Sequence, residues 1–186
     1  FYPAKPLGCY GDGGALLTDD AARAEVWRSL RGHGTGERQY DVVRIGMNSR
    51  LDTLQAAVLL AKLPGFVAEV EARERVAQFY DRHLPLAATR PGRRDGHDSA
   101  WAQYTIRVAQ RDRVQESLSA AGIPTAVHYP IPLNRQPAVG DAGAILPVGD
   151  LAARQVISLP MHPYLSPQEL EKIANALLAI CESREI

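Results

Sequence analysis

Lysine is scarce in this chain: of 186 residues only Lys5, Lys62 and Lys172 carry a primary amine, against eighteen arginines. Any chemistry that needs such an amine therefore has few places to occur. Cysteine is scarcer still, with Cys9 and Cys181 far apart, too few for a disulfide framework; this usage fits a reducing, cytoplasmic setting. Net charge is missing as well. Lys plus Arg number 21 and Asp plus Glu number 21, so no overall field draws in a polyanion, and neither nucleic acid nor a membrane surface is an expected partner. No stretch approaches the roughly 18 to 20 apolar residues that cross a bilayer. Residues 1–6, Phe-Tyr-Pro-Ala-Lys-Pro, lack the apolar run of a signal peptide, and position 1 is not Met, which suggests preceding sequence. Zinc-type Cys/His spacing, a Gly-x-Ser-x-Gly elbow and a Gly-x-x-x-x-Gly-Lys phosphate loop are also lacking, so those enzyme classes lose support.

What is present is a composition that can bury a core: 46% hydrophobic and 23% charged residues. Residues 1–12 read as a Pro/Gly loop, and residues 13–18 as a short buried strand. Ala22, Val26, Trp27 and Leu30 are helically spaced behind the caps Thr18, Asp19 or Asp20, with Gly32 as the stop. Residues 32–39 form a glycine-rich loop. The run Leu54 to Leu63 predicts a buried helix starting near Ser49 and ending at Pro64. Residues 66–84 alternate apolar and charged positions as a long amphipathic helix, a bridge between two parts. Residues 101–109 and 125–129 read as strands around a helix at 111–121, residues 130–137 as a proline-stiffened extended loop. Ser166-Pro167-Gln168-Glu169 is a capping box opening a last helix. The fold class is α/β with two parts, divided into residues 1–63 and 64–186.

Several residues could carry chemistry. Lys5 lies between Pro3, Pro6 and Gly8, where few free torsions remain and a long amine can be aimed; a Schiff-base lysine needs such a setting, and a solvated loop lysine is the plain alternative. Asn48 and Arg50 open a helix, where amide, guanidinium and free N–H groups can meet an anion, or serve only as a cap and a surface charge. His128 and Tyr129 enter the proline-rich loop as two hydrogen-bonding rings, at a cleft edge or packed at a strand end.

The ordered strings Phe1-Tyr-Pro-Ala-Lys5-Pro-Leu-Gly8, Arg31-Gly-His-Gly34, Gly46-Met-Asn48-Ser-Arg50-Leu-Asp52-Thr-Leu-Gln55, Val127-His128-Tyr129-Pro-Ile-Pro-Leu133 and Ser158-Leu-Pro-Met-His-Pro-Tyr164 resemble the DegT/DnrJ/StrS-type sugar aminotransferases. The resemblance covers essentially the whole chain. It implies the aspartate-aminotransferase-like fold type I, with the end of the large domain followed by a small α+β domain. It further implies pyridoxal 5′-phosphate as cofactor, held as a Schiff base by Lys5, and transamination of a nucleotide-linked keto sugar from an amino-acid donor such as glutamate. By the same resemblance Asn48 reaches the cofactor phosphate across a homodimer with shared active sites. Arg50, His128 and Tyr129 face the nucleotide sugar. The later strings look most like relatives acting on UDP-linked 3-keto acetamido sugar acids, with 4-keto deoxysugar enzymes, or a non-catalytic remnant or assembly module, as the alternatives. Asn134 stands where many relatives have histidine, and the family's preceding cofactor domain is not among these 186 residues, so the expectation is a fragment inactive by itself.

Overall fold

A computed structural model describes residues 1–38, 40–141 and 143–183. Gln39, the last residue of the expected glycine-rich loop, lies outside the described residues. The chain divides into two units, Phe1–Phe66 and Val67–Ile186.

The first unit holds two helices and irregular backbone. α1 (Ala21–Arg31) starts where Asp20 accepts the Arg23 N–H at 3.0 Å and stops at Gly32, whose N–H returns to the Ser29 carbonyl. α2 (Thr53–Lys62) starts after Asp52 rather than near Ser49, and Pro64 lies in a 3-10 turn (Leu63–Gly65) that follows it. Residues 13–18 are not a strand, and Leu16 and Leu17 are 76% and 90% exposed, because a strand exists only with a partner for its N–H and C=O groups and the described residues offer none. The apolar α2 is not a buried helix either: Leu59 is its one buried residue, while Leu54 and Leu60 face outward. An apolar run records a preference for cover, and the described residues supply none on that side.

Between α1 and α2 the backbone doubles back on itself through isolated bridges Gly32–Asn48 and Thr35–Val42. The His33 N–H reaches the Met47 carbonyl at 3.0 Å, Met47 N–H the Leu30 carbonyl at 2.8 Å, and Ser49 N–H the Arg31 carbonyl at 2.9 Å. The expected glycine-rich loop is thus a tight turn sewn to the end of α1.

The second unit carries the core. α3 (Phe66–His83), α4 (Arg111–Ala120) and α6 (Pro167–Glu182) surround an antiparallel pair, β1 (Tyr104–Arg107) and β2 (Val156–Leu159), with α5 (Pro147–Gln155) leading into β2. Tyr80, Tyr104, Ile106, Leu118, Ile157 and Leu177 are fully buried; each such side chain contributes about 1.5–3 kcal/mol of burial before conformational entropy is subtracted. Residues 101–109 give a strand only at 104–107, and residues 125–129 give none, only a bridge from Ala126 to Ser158. Pro124 and Pro130 flank that segment and cannot donate to a ladder. The expected extended stretch 130–137 contains a 3-10 turn at Leu133–Arg135. The capping box at Ser166 is present in both directions: Ser166 Oγ accepts from Glu169 N–H at 3.3 Å, and Glu169 accepts from Ser166 N–H at 2.8 Å.

The helical run Thr53–His83 is long and apolar enough, by length and composition alone, to cross a membrane, and 6% of its apolar window is buried. Its C-terminal part is different, with Val76, Ala77 and Tyr80 packed in the core of the second unit. Polar groups stitch α3 to that core's surroundings. Arg73, itself buried, donates from Nη1 to the Trp101 carbonyl at 3.0 Å and the Met161 carbonyl at 3.1 Å. Glu74 accepts from Trp101 Nε1 at 2.6 Å and from Arg93 at 2.7 Å, while Asp81 accepts from Tyr104 at 2.5 Å and Arg93 at 2.7 Å. The Arg93 guanidinium also sits 4.9 Å over the Trp101 ring.

Candidate functional site

In the first unit, residues 1–11 fold into a loop held by backbone and by α2. Lys5 N–H donates to the Tyr2 carbonyl at 2.8 Å and Cys9 N–H to the Phe1 carbonyl at 2.8 Å. A Cβ on Gly8 would lie 2.6 Å from the Pro3 carbonyl oxygen, so the turn that carries Lys5 closes only around a glycine. From α2, Gln55 accepts the Tyr10 N–H at 2.8 Å, and Lys62 Nζ donates to the Gly8 carbonyl at 2.7 Å.

The three amines are thereby told apart. Lys62 is a strut of the loop, and Lys172 lies on α6 in the second unit. The Lys5 side chain is exposed and has no hydrogen-bond or ion-pair partner among the described residues. A primary amine on a braced backbone with its nitrogen uncommitted fits covalent attachment of an aldehyde such as that of pyridoxal phosphate. Neither Gln55 nor Lys62 was singled out by sequence as a brace; Gln55 belongs to one of the ordered strings, but its contact with Tyr10 spans 45 residues.

Asn48 and Arg50 leave the sewn turn side by side. Both are exposed, and Arg50 Nε donates to Asn48 Oδ1 at 3.3 Å. They precede α2 rather than open it, since its N-cap is Asp52. An amide oxygen that accepts from a guanidinium leaves its NH2 group and the remaining guanidinium N–H groups to meet an anion.

In the second unit His128 and Tyr129 sit edge to face, ring centroids 5.4 Å apart, across a cis peptide bond. His128 is half-buried and its Nδ1 lies 2.9 Å from Ser158 Oγ, while Tyr129 is exposed. The later string 158–164 is fastened to α3: Arg73 holds the Met161 carbonyl, Tyr80 donates to the Pro160 carbonyl at 2.8 Å, and Tyr164 donates to Glu69 at 2.5 Å. Burial lowers the affinity of the Arg73 guanidinium for its proton, with Glu69 and Tyr164 opposing. His162 accepts the Tyr164 N–H at 3.3 Å and so acts within its own turn. Asn134 has both side-chain polar atoms buried without a partner. Among the described residues, no group of His, Cys, Asp and Glu side chains could hold a metal ion.

Over 178 residues the chain is 54% identical to the UDP-2-acetamido-2-deoxy-3-oxo-D-glucuronate aminotransferase of Pseudomonas aeruginosa, covering 95% of this chain and 49% of that protein. A crystal structure of a DegT DnrJ EryC1 StrS aminotransferase from Brucella abortus superposes with a TM-score of 0.92 at 49% identity, over 97% of this chain and 49% of that one. The structure of S. venezuelae DesV in complex with a ketimine intermediate superposes with a TM-score of 0.91 at 36% identity, over 98% and 50%. The chain thus spans about half the length of the curated relatives it matches. Its fold is the expected α/β type, part of the fold type I framework of pyridoxal-phosphate transferases. With a family model matching residues 1–178 in one run, this chain belongs to the DegT/DnrJ/EryC1/StrS aminotransferase family.

Proposed function

We propose that this chain supplies the lysine-bearing half of a pyridoxal-phosphate-dependent aminotransferase that moves an amino group onto a nucleotide-linked keto sugar, with residues 1–63 as the end of the large domain and 64–186 as the bridging helix and small domain. Pyridoxal phosphate, the cofactor of the family, supplies an electron sink when bound. Lys5 Nζ would hold its aldehyde and, as a free amine, would take up and return the proton of the substrate carbon. Asn48 holds the cofactor phosphate of a second copy in a homodimer. Arg50 offers its guanidinium to the nucleotide phosphates, and His128 and Tyr129 bind the sugar. The remainder of the cofactor site comes from sequence outside these 186 residues, on the same chain or a partner chain, so the fragment by itself is inactive. Two free thiols, Cys9 and Cys181, agree with a cytoplasmic enzyme.

The observation that carries this reading is the division of labour among the lysines, with the Lys62 amine bound to the Gly8 carbonyl and the Lys5 amine unengaged. The sugar is inferred from the relative named as acting on a UDP-linked 3-oxo-glucuronate; UDP-linked 3-keto acetamido sugar acids, with glutamate as donor, are the substrates to offer first, and a 4-keto deoxysugar nucleotide second. The test is borohydride reduction of the native protein with added pyridoxal phosphate, followed by peptide mass mapping and a transamination assay. A pyridoxyl group on Lys5, lost together with activity in Lys5→Ala, is the expected result. An adduct on Lys62 or Lys172, or none, overturns the assignment.

A further inference from the structure

The β1–β2 register sets Thr105 directly opposite Ser158. Their hydroxyl oxygens are 2.8 Å apart, and Ser158 Oγ is in turn 2.9 Å from His128 Nδ1. Ser158 is 4% exposed, so its hydroxyl cannot trade these partners for bulk water. Its backbone is tied to the same segment: Ser158 N–H donates to the Ala126 carbonyl at 2.7 Å and Ala126 N–H to the Ser158 carbonyl at 3.2 Å. One residue of β2 therefore fixes both the main chain just before His128 and the plane of its ring.

The proton count gives this chain of contacts a direction. A serine or threonine hydroxyl donates once and accepts up to twice. Running from Thr105 to Ser158 to His128, both hydroxyl protons are used and Nδ1 accepts. Running the other way, Nδ1–H donates to Ser158 and Ser158 to Thr105, and the proton of the half-buried Thr105, with no acceptor among the described residues, is left to solvent. The first direction keeps both hydroxyl protons in bonds within the fold, whereas the second gives one up to solvent.

We infer that Ser158 is a positioning residue that locks His128 as the Nε2–H tautomer, so that the ring presents an N–H donor to an oxygen of the bound sugar nucleotide, a carboxylate, phosphate or carbonyl oxygen. Nε2 has no partner among the described residues. The tautomer is inferred from the hydroxyl pair and its contact with Nδ1; its use toward substrate rests on the proposed role of His128 in binding the sugar. A histidine whose second nitrogen is committed to a buried hydroxyl is held in ring plane and tautomer alike.

The experiment has two arms. In the first, the chain is labelled with 15N-histidine and read by long-range 1H–15N correlation at about pH 8, where an unperturbed imidazole is neutral; His128→Gln assigns the signal. A single Nε2–H tautomer with an accepting Nδ1 is expected, unchanged in Thr105→Val and relaxing to the mixture of a free imidazole in Ser158→Ala. An Nδ1–H tautomer in the wild type, or ring shifts that ignore Ser158→Ala, overturns the inference, and the wild-type spectrum decides even where a variant fails to fold. In the second arm, on the native enzyme, Ser158→Ala is expected to raise KM for the nucleotide sugar about 5- to 10-fold with kcat within about twofold, and to have no further effect in a His128→Gln background. An equal rise in both backgrounds overturns action through His128. A wild-type enzyme with no transamination at all refutes the functional reading and leaves the ring signals to judge the hydroxyl chain.

Discussion

The turn that delivers Asn48 can be broken with one methyl group. Gly34 has φ +78°, and a Cβ there would lie 1.7 Å from the Arg44 carbonyl oxygen and 2.8 Å from its carbon. Both atoms are backbone, so no side chain can swing aside. Left-handed backbone alone costs an alanine about 1 kcal/mol. Separating the two strands of the turn then forfeits the bonds that Val43 N–H and Arg44 N–H make to the Gly34 carbonyl, at 3.0 and 3.3 Å, worth about 1 kcal/mol each. Together with residual crowding, Gly34→Ala is expected to weaken this turn by about 3–4 kcal/mol. Hydrogen exchange read by mass spectrometry resolves this locally, since every 1.4 kcal/mol of opening energy is about a tenfold change in protection. Amides of residues 33–49 should exchange about two to three decades faster, with those of β1 and β2 unchanged. Gly14→Ala, whose Cβ meets nothing within 4 Å, is the control and should stay within about 0.5 kcal/mol. Protection in Gly34→Ala within a factor of about ten of the wild type would refute the steric reasoning.

Two further outcomes concern the second unit. Burial by itself raises the Glu74 carboxyl, but hydrogen bonds from Trp101, Arg93 and Gln78 and the charge of Arg93 bring it below the usual carboxylate value. Its stabilisation is therefore complete above the unfolded value near pH ~4.3 and is lost as pH falls through the lower folded one; urea midpoints of Glu74→Gln should vary less with pH between about 5 and 3 than those of the wild type, and equal slopes would sink the idea. Arg73→Met keeps the volume but strips the donors from the Trp101 and Met161 carbonyls; a loss of about 2–4 kcal/mol in urea unfolding is expected at about 1–3 kcal/mol per orphaned group, and a neutral result would show that those carbonyls find other donors.

Local chemistry was the most readable part of the sequence. Ser166, Pro167 and Glu169 lie within one turn, so their reciprocal cap is written in neighbouring letters, as is the Asp20 start and Gly32 stop of α1. Lys5 stood out because amines are so few. Features that depend on distant partners were not legible. Residues 13–18 have the composition of a strand, and the apolar run of α2 that of a buried helix, yet neither says what would lie against it. Segment 125–129 contributes a single bridge where a strand was expected, because the flanking Pro124 and Pro130 cannot donate to a ladder. α5 and β2 went unread: Val156–Leu159 is a short apolar run that periodicity cannot assign. The Lys62 strut spans 54 residues and the Ser158 bond to His128 spans 30, which no local pattern encodes.

Cys9 gives the lysine loop a built-in clock. Its thiol is 1% exposed, with Sγ 3.1 Å from the Phe1 carbonyl oxygen and 3.2 Å from that of Gly11, so a sulfhydryl reagent can reach it only when the turn around Lys5 comes apart. Cys181, half-buried near the end of α6 with its thiol pushed up by burial, belongs to the other unit and keeps separate time. The rate at which Cys9 is alkylated thus counts how often the amine-bearing turn opens, and whatever grips Lys5 from outside will slow that count.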